Sequence, residues 1–389
     1  MLKERYLTDP ILLDLKEKMV FIGGPRQVGK TTLATGLVGN HFRKPAYFNW
    51  DSQQERRQIM SSAWPGDAQL IILDEIHKLK GWKRFIKGEY DTLKDKYNFI
   101  ITGNARMDVY RKGGDSLMGR YHYYLLHPFS VAELSQVKST PQPFQELEMT
   151  GPANKEFEAL DKFGGFPEPL FSQNERTLRR WHNERNERFF REDIRDVEII
   201  QDLSKMKILS DILPSKVGSL LSVNAIREDL EISHRTLSHW LDILEAFHYH
   251  FRIYPFMQRS YRSLKKTPKL YLWDWSEIPN EAARFENLIA SHLSKFVSWW
   301  HDREGYRAKL YFLRDTEQHE VDFLVTVDEK PWLAVEVKIQ DEGVSPSLQY
   351  FQERLKIPFA YQVLKKSGVD RFREGVRIIS ADKFLTSLT

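Results

Sequence analysis

The segment Gly24-Pro25-Arg26-Gln27-Val28-Gly29-Lys30-Thr31 constrains this chain more than any other. It follows the short apolar run Met19-Val20-Phe21-Ile22 and precedes Thr32-Leu33-Ala34-Thr35-Gly36-Leu37-Val38. A strand, a glycine loop and a helix are therefore expected in succession, which is the context that a G-x-x-x-x-G-K-[ST] pattern requires. Gly24 and Gly29 let the backbone curl until successive N–H groups and a helix N-terminus face a single point, forming an anion cradle. The segment reads as a P-loop. Residues Gly24, Pro25, Arg26, Gln27, Val28, Gly29, Lys30, Thr31 and Thr32 would surround the phosphates of ATP, with Lys30 neutralising the β- and γ-oxygens and Thr31 placing its hydroxyl on Mg²⁺. A plain glycine turn is the alternative, and the match in its strand-to-helix setting argues against it.

Binding a nucleotide is not splitting it. Hydrolysis needs a carboxylate for the metal, a group that activates water and a group that senses the γ-phosphate. Leu70-Ile71-Ile72-Leu73 is continuously apolar, as a strand buried on both faces should be, and ends in Asp74-Glu75. In this Walker B reading Asp74 holds Mg²⁺ and Glu75 polarises the attacking water. Two further strands are expected at Ala46–Asp51 and Asn98–Asn104. The first supplies the extra strand of ATPases that carry a catalytic glutamate. The second would lie beside the P-loop strand and offer Thr102 or Asn104 as the sensor, with the choice between them open. A fifth strand, Tyr121–Leu126, is preceded by Arg120, which is either an arginine finger acting in its own or a neighbour's site or a surface ion-pair residue.

Length and composition bound the rest. At 389 residues the chain exceeds one ordinary core, so two or three domains are expected. With 41% hydrophobic and 29% charged residues it has the make-up of a soluble globular protein. No apolar run is long enough for a bilayer and no leader is evident, so no membrane partner is expected and a cytoplasmic location is. The absence of cysteine excludes disulfides and thiolate metal sites. A net charge of +4 means that any nucleic-acid surface must come from local clustering.

The middle of the chain carries such a cluster. After an irregular passage, Arg176 to Arg195 is rich in arginine, but Glu184, Glu187, Glu192 and Asp193 dilute it to an ordinary solvated helix. Ser222 is expected to cap a short helix ending at Leu230, and Ser233 a second one from His234 to Phe247. Leu237, Leu241 and Leu244 give that second helix a buried face, leaving His234, Arg235, Ser238 and His239 outward. This is the pattern of a winged helix-turn-helix, whose wing would begin at Phe251-Arg252-Ile253-Tyr254. Arg259, Arg262, Lys265, Lys266 and Lys269 follow without an acidic residue among them, which makes them, with Arg235 and His239, the candidate DNA contacts. Protein docking is the competing use of the same module.

In the C-terminal stretch, Asp322 on one expected strand is followed by Glu336-Val337-Lys338 on the next. Alternation places Glu336 and Lys338 on one face beside Asp322, the PD-(D/E)XK arrangement. The carboxylates would hold Mg²⁺ and Lys338 would position or deprotonate the nucleophile. Gln349 is a further polar candidate. Against this, Val321 stands where the motif has its proline, and a strand alternating Glu and Lys also serves as an ion-pair ladder.

Taken together, the glycine loop, Leu73-Asp74-Glu75-Ile76-His77-Lys78, Gly119-Arg120 followed by Pro128-Phe129-Ser130, and Gly164-Gly165-Phe166-Pro167-Glu168 resemble a large bacterial and archaeal family of AAA-like ATPases. Its members are fused to a C-terminal domain of unknown function that is itself similar to PD-(D/E)XK nucleases. The resemblance covers nearly the whole chain, and Gly103-Asn104 departs from the Gly-Ser that is common there. It implies that Glu286 corresponds to the helix carboxylate that Holliday-junction resolvases of this fold add to the metal set. The expected fold class is α/β: an AAA-like P-loop ATPase with a parallel sheet (residues 1–135), a helical connector or lid (136–205), a winged helix-turn-helix (206–268) and an α/β domain resembling PD-(D/E)XK nucleases (269–389). The expected function is a Mg²⁺-dependent ATPase acting on DNA, as a hexamer or smaller homo-oligomer. The alternatives are a metal-dependent endonuclease regulated by ATP and a signalling switch whose C-terminal domain binds protein.

Overall fold

A computed structural model describes residues 3–103, 117–137, 142–194, 202–257 and 267–389. The chain divides into two compact units, Met1–Pro128 and Phe129–Thr389.

Among its described residues the first unit is built on five parallel strands, β1 (Met19–Gly23), β2 (Ala46–Asn49), β3 (Leu70–Asp74), β4 (Asn98–Thr102) and β5 (Tyr121–Leu125). They lie in the order β2-β3-β4-β1-β5. Strands β1 and β3 are buried along their whole length, as their unbroken apolar sequences require. Strand β4 inserts between them with Ile22 opposite Thr102 and Asp74 opposite Thr102, so the three C-terminal strand ends form one edge. This is the neighbour relation expected from the sequence. One face is filled by Phe21, Ile71, Leu73, Phe99 and Ile101 against Ile59 of helix Gln53–Met60 and Trp82 and Ile86 of helix Trp82–Leu93.

Among its described residues the second unit carries eight strands: β6 (His250–Pro255), β7 (Lys269–Leu272), β8 (Ala308–Arg314), β9 (Glu320–Val327), β10 (Lys330–Lys338), β11 (Phe359–Leu364), β12 (Asp370–Arg373) and β13 (Val376–Ser380). Their order is β12-β13-β11-β10-β9-β8-β6-β7. The 24-residue helix Glu281–Glu304, started by Asn280 and ended at Gly305 (φ 73°), buries Phe296 and Trp300 against Trp332 of β10. Its Asn287 also receives the Leu272 N–H (2.7 Å) and donates to the Leu272 carbonyl (2.8 Å), clamping β7.

The expected boundary at residues 268 and 269 is corrected here. The hairpin β6–β7 is not a free wing: β6 pairs with β8 through Tyr254 opposite Tyr311 and Pro255 opposite Phe312, extending one sheet across that point. The helix pair ahead of it forms where expected, as Val223–Asp229 capped by Ser222 and His234–Ala246 capped by Ser233. The arginine-rich helix Glu175–Arg188 is laced by i,i+4 pairs such as Arg180–Glu184 and Glu184–Arg188, the solvated helix expected. Among the described residues no helix is long and apolar enough to cross a membrane.

Candidate functional site

The P-loop leaves the end of β1 through Gly24 (φ 141°) and re-enters a helix through Gly29 (φ 101°), both in backbone regions that favour glycine. A Cβ on Gly24 would stand 2.6 Å from the Leu126 carbonyl, so the loop passes β5 only because that atom is missing. Arg5, buried and absent from the sequence reading, donates to the carbonyls of Val28 (3.0 Å) and His127, tying the loop down. Lys30 is 6% exposed, and its ammonium donates to the carbonyls of Gly24 (3.0 Å) and Pro25 (2.8 Å). A buried cation over a glycine cradle at a helix start fits a nucleotide phosphate.

Asp74 stands at the neighbouring strand end. Thr31 Oγ1 (2.9 Å) and Tyr47 OH (2.8 Å) donate to its Oδ2, and Thr102 Oγ1 donates to its Oδ1. The carboxylate is 6% exposed. Three neutral hydroxyls thus orient it without discharging it, which suits a ligand for Mg²⁺. Burial, followed by the adjoining Asp74, holds the Tyr47 phenol well above its ordinary range. Thr102, expected as a sensor, therefore spends its hydroxyl on Asp74. Tyr47 went unread because its place beside Asp74 depends on the β2–β3 register, in which Asn49 lies opposite Asp74.

Glu75 follows in the left-handed region (φ 56°), with its N–H on the Thr102 carbonyl (3.0 Å). Its carboxylate lies 3.5 Å from His77 Nε2 and 4.0 Å from Lys78 Nζ. Burial pushes Glu75 up to about 7, against the pull of Lys30, while burial drives His77 down to about 4. A carboxylate poised near neutrality at the edge of a phosphate cradle can act as a general base.

Arg120 is not brought to this chain's own loop. It precedes β5, beside Met19 at the opposite end of the strands, and is forked onto Asp91 at 2.7 and 3.0 Å. Asn104 lies outside the described residues.

In the second unit the structure does bring Glu286, Asp322, Glu336 and Lys338 together, with three partners the sequence reading missed. Lys338 Nζ is 2.9 Å from Glu336 Oε1, and Val337 N–H donates to Asp322 Oδ2 (2.9 Å). Tyr271 donates to Glu286 Oε1 (2.7 Å). Lys269 is corrected: it is 3% exposed, not a DNA-facing cation, and its ammonium lies 2.6 Å from Glu320, 3.5 Å from Asp322 and 3.6 Å from Glu286. Glu320 was legible, since it sits two residues before Asp322 on the same strand face. Burial, then Asp322, pushes both Glu286 and Glu336 up to about 7. Gln349, the further polar candidate, donates its amide to Glu374 (2.9 Å).

Of the candidate DNA contacts, Arg235 and His239 are exposed on helix His234–Ala246, whose Leu237, Leu241 and Leu244 are buried. Arg259, Arg262, Lys265 and Lys266 lie outside the described residues.

Comparison with known proteins divides along the chain. Residues 16–135 match the family described as an AAA domain, and the first unit is accordingly an AAA-like ATPase domain. Residues 154–277 match a domain of unknown function (DUF8612), and residues 282–384 match another (DUF4143), so neither description assigns an activity. An uncharacterized protein of Methanocaldococcus jannaschii is 21% identical over 367 residues, covering 88% of this chain and 80% of the relative. An uncharacterized protein of Mycobacterium tuberculosis is 20% identical over 386 residues, covering 95% and 81%. Among solved structures, Thermotoga maritima RuvB is similar with a TM-score of 0.33 and 16% identity, over 68% of this chain and 95% of that one.

Proposed function

We propose that this chain is a Mg²⁺-dependent ATPase that acts on DNA, its hydrolysis cycle gating the remodelling or processing of DNA held by the second unit. The observation that carries the ATPase reading is the Asp74 carboxylate, fixed by Thr31, Tyr47 and Thr102 at the same strand edge as Lys30 and Glu75. Lys30 would exchange its contacts with the loop carbonyls for phosphate oxygens. Thr31 and Asp74 would hold Mg²⁺, which when bound offsets charge on the phosphates. Glu75 takes a proton from the attacking water, for which it must first be ionised.

The DNA reading rests on the helix pair Val223–Asp229 and His234–Ala246, with Arg235 and His239 on the exposed face of the second, read as a helix-turn-helix whose hairpin is built into the sheet. With Arg120 remote from its own loop, a finger would have to serve a neighbouring copy, which makes a homo-oligomer, hexameric or smaller, part of this proposal. A cytoplasmic location belongs to it too. DNA-stimulated ATP turnover that vanishes in Lys30→Ala and Glu75→Gln is the expected result. Turnover indifferent to single-stranded, duplex and four-way-junction DNA alike would defeat the DNA part while leaving the ATPase standing.

A second reading, a nuclease-like fold in the C-terminal strands with ATP as regulator, is favoured by the convergence of Glu286, Asp322, Glu336 and Lys338. Cleavage lost in Asp322→Ala with ATP turnover retained would establish it, and intact junction, flap and single-stranded substrates with Mg²⁺ and Mn²⁺ would remove it.

A further inference from the structure

The carboxylates of the second unit already have a cation among them. Glu286 from helix Glu281–Glu304, Glu320 and Asp322 from β9 and Glu336 from β10 converge where Lys269 begins β7. The Lys269 ammonium reaches three of the four within 3.6 Å. Other donors also hold the set: Glu286 Oε1, the oxygen that faces Lys269, accepts from Tyr271, Asp322 Oδ2 from the Val337 N–H, Glu320 Oε2 from Arg314 (2.8 Å) and Glu336 Oε1 from Lys338. Glu336 Oε2 is buried and without a hydrogen-bond partner among the described residues.

A hard divalent ion needs about six oxygens at roughly 2.0–2.6 Å, so its protein ligands must close to within a few ångströms of one another. Among the described residues the acidic and histidine sets whose ligand atoms gather within 4.8 Å are His182, Asp274 and Glu277, and Asp315, Glu317 and His319. The carboxylates around Lys269 do not gather so closely. Instead the Lys269 ammonium, 3% exposed, occupies the space among them, 2.6 Å from Glu320, 3.5 Å from Asp322 and 3.6 Å from Glu286.

We propose that the Lys269 ammonium is the resident cation of this carboxylate set, standing where a divalent ion would have to stand. The unit then keeps its nuclease-like residues in a metal-free, non-cleaving form, and removing the ammonium creates a divalent-cation site. This goes beyond the ATPase and DNA readings, depends on neither, and excludes the nuclease reading, so cleavage lost in Asp322→Ala would overturn it. Gly218 belongs to the same construction: at φ 73° its missing Cβ would lie 2.9 Å from Glu286 Oε2, so the backbone passes close to the set.

The test is Mn²⁺ binding to the full-length, nucleotide-free chain, followed by electron paramagnetic resonance of free Mn²⁺ and by thermal melting. Wild-type protein and Asp322→Asn should bind Mn²⁺ alike, since the set contributes no site. Lys269→Met should gain one site at least tenfold tighter than any the wild type shows, and Asp322→Asn in that background should abolish it. Mn²⁺ should also raise the melting temperature of Lys269→Met while leaving that of the wild type unmoved. Because Lys269→Met strands several carboxylates, the double variant Lys269→Met/Glu320→Gln, which removes cation and closest anion together, is measured beside it. Mn²⁺ binding in the wild type that Asp322→Asn removes would overturn the proposal. So would a folded variant of either kind that gains no site.

Discussion

Replacing Thr102 with valine keeps a branched side chain at a fully buried position and deletes only the hydroxyl that donates to Asp74 Oδ1. A hydrogen bond to a charged acceptor contributes about 1.5–3 kcal/mol, and burial places Thr102 toward the upper end. Tyr47→Phe deletes the donor to the other oxygen from a half-buried ring, so the lower figure applies. Both losses fall on the orientation of a carboxylate whose task is to hold Mg²⁺. At about 1.4 kcal/mol per factor of ten, metal-assisted nucleotide binding should weaken about tenfold in Tyr47→Phe and about 10- to 100-fold in Thr102→Val. The assay is a titration of ADP with Mg²⁺ and again with chelator. The metal-free affinity should not change, because Lys30 and the glycine loop are untouched. The double variant should depart from additivity, since both hydroxyls steady one group. Folded Thr102→Val with wild-type metal-assisted affinity, or with equal loss in chelator, would refute the argument that Thr102 acts through Asp74.

With Glu75 pushed up to about 7 by burial, ATP turnover should fall roughly tenfold per unit below that pH, and a rate profile flat from about pH 5.5 to 8 would count against Glu75 as the base. Glu75→Gln should retain nucleotide and lose at least about 100-fold in turnover, as measured by phosphate release. Arg120→Ala should leave the melting temperature of the isolated chain nearly unchanged, because its pair with Asp91 is a surface one; a drop in turnover that grows with protein concentration would instead mark a role in a neighbour's site. Glu286 and Glu336, whose folded pKa values rise from 4.5 to about 7, hold their protons more tightly folded than unfolded. Their contribution is therefore complete below about pH 4.5 and lost as pH climbs through 7, at up to about 1.4 kcal/mol per pH unit for each. Melting of the second unit should decline over that window, and Glu336→Gln should make the decline shallower.

The nucleotide edge was legible because its parts are local. A strand, a glycine loop and Lys30-Thr31 are contiguous, and Asp74 sits at the end of an apolar run, where a Walker B carboxylate competes with a simple strand end. What escaped was whatever depends on register or on packing from far along the chain. Tyr47 reaches Asp74 through the pairing of β2 with β3, and Arg5 reaches Val28 from an N-terminal stretch with no motif of its own. Lys269 misled for the same reason. Its sequence neighbours are basic, so it read as part of a phosphate-binding run, whereas its partners Glu286, Glu320 and Asp322 lie well downstream and meet it only when β7 folds against β9. The rings of Tyr271 and Phe323, 5.7 Å apart, mark that meeting. Sequence pattern also placed a domain boundary between β6 and the strands after it, although β6 in fact pairs with β8, because a hairpin looks the same whether its edge is free or paired.

The two carboxylate sites show how the choice of donor decides what a buried acid can do. Around Asp74 the donors are Thr31, Tyr47 and Thr102, all uncharged, so the group is oriented while its negative charge stays available to a metal. Around Asp322 and Glu286 the donor is an ammonium within 3.6 Å, and the charge is already met. Burying a carboxylate without a countercharge is costly, and each site meets that cost differently: one by admitting a metal as part of its working cycle, the other by carrying its own cation. It follows that exchanging the donors should exchange the behaviours. Thr102→Lys, which puts an ammonium at Asp74, should abolish Mg²⁺-assisted nucleotide binding outright rather than weaken it, and a titration showing more than a tenth of the wild-type affinity would break the parallel.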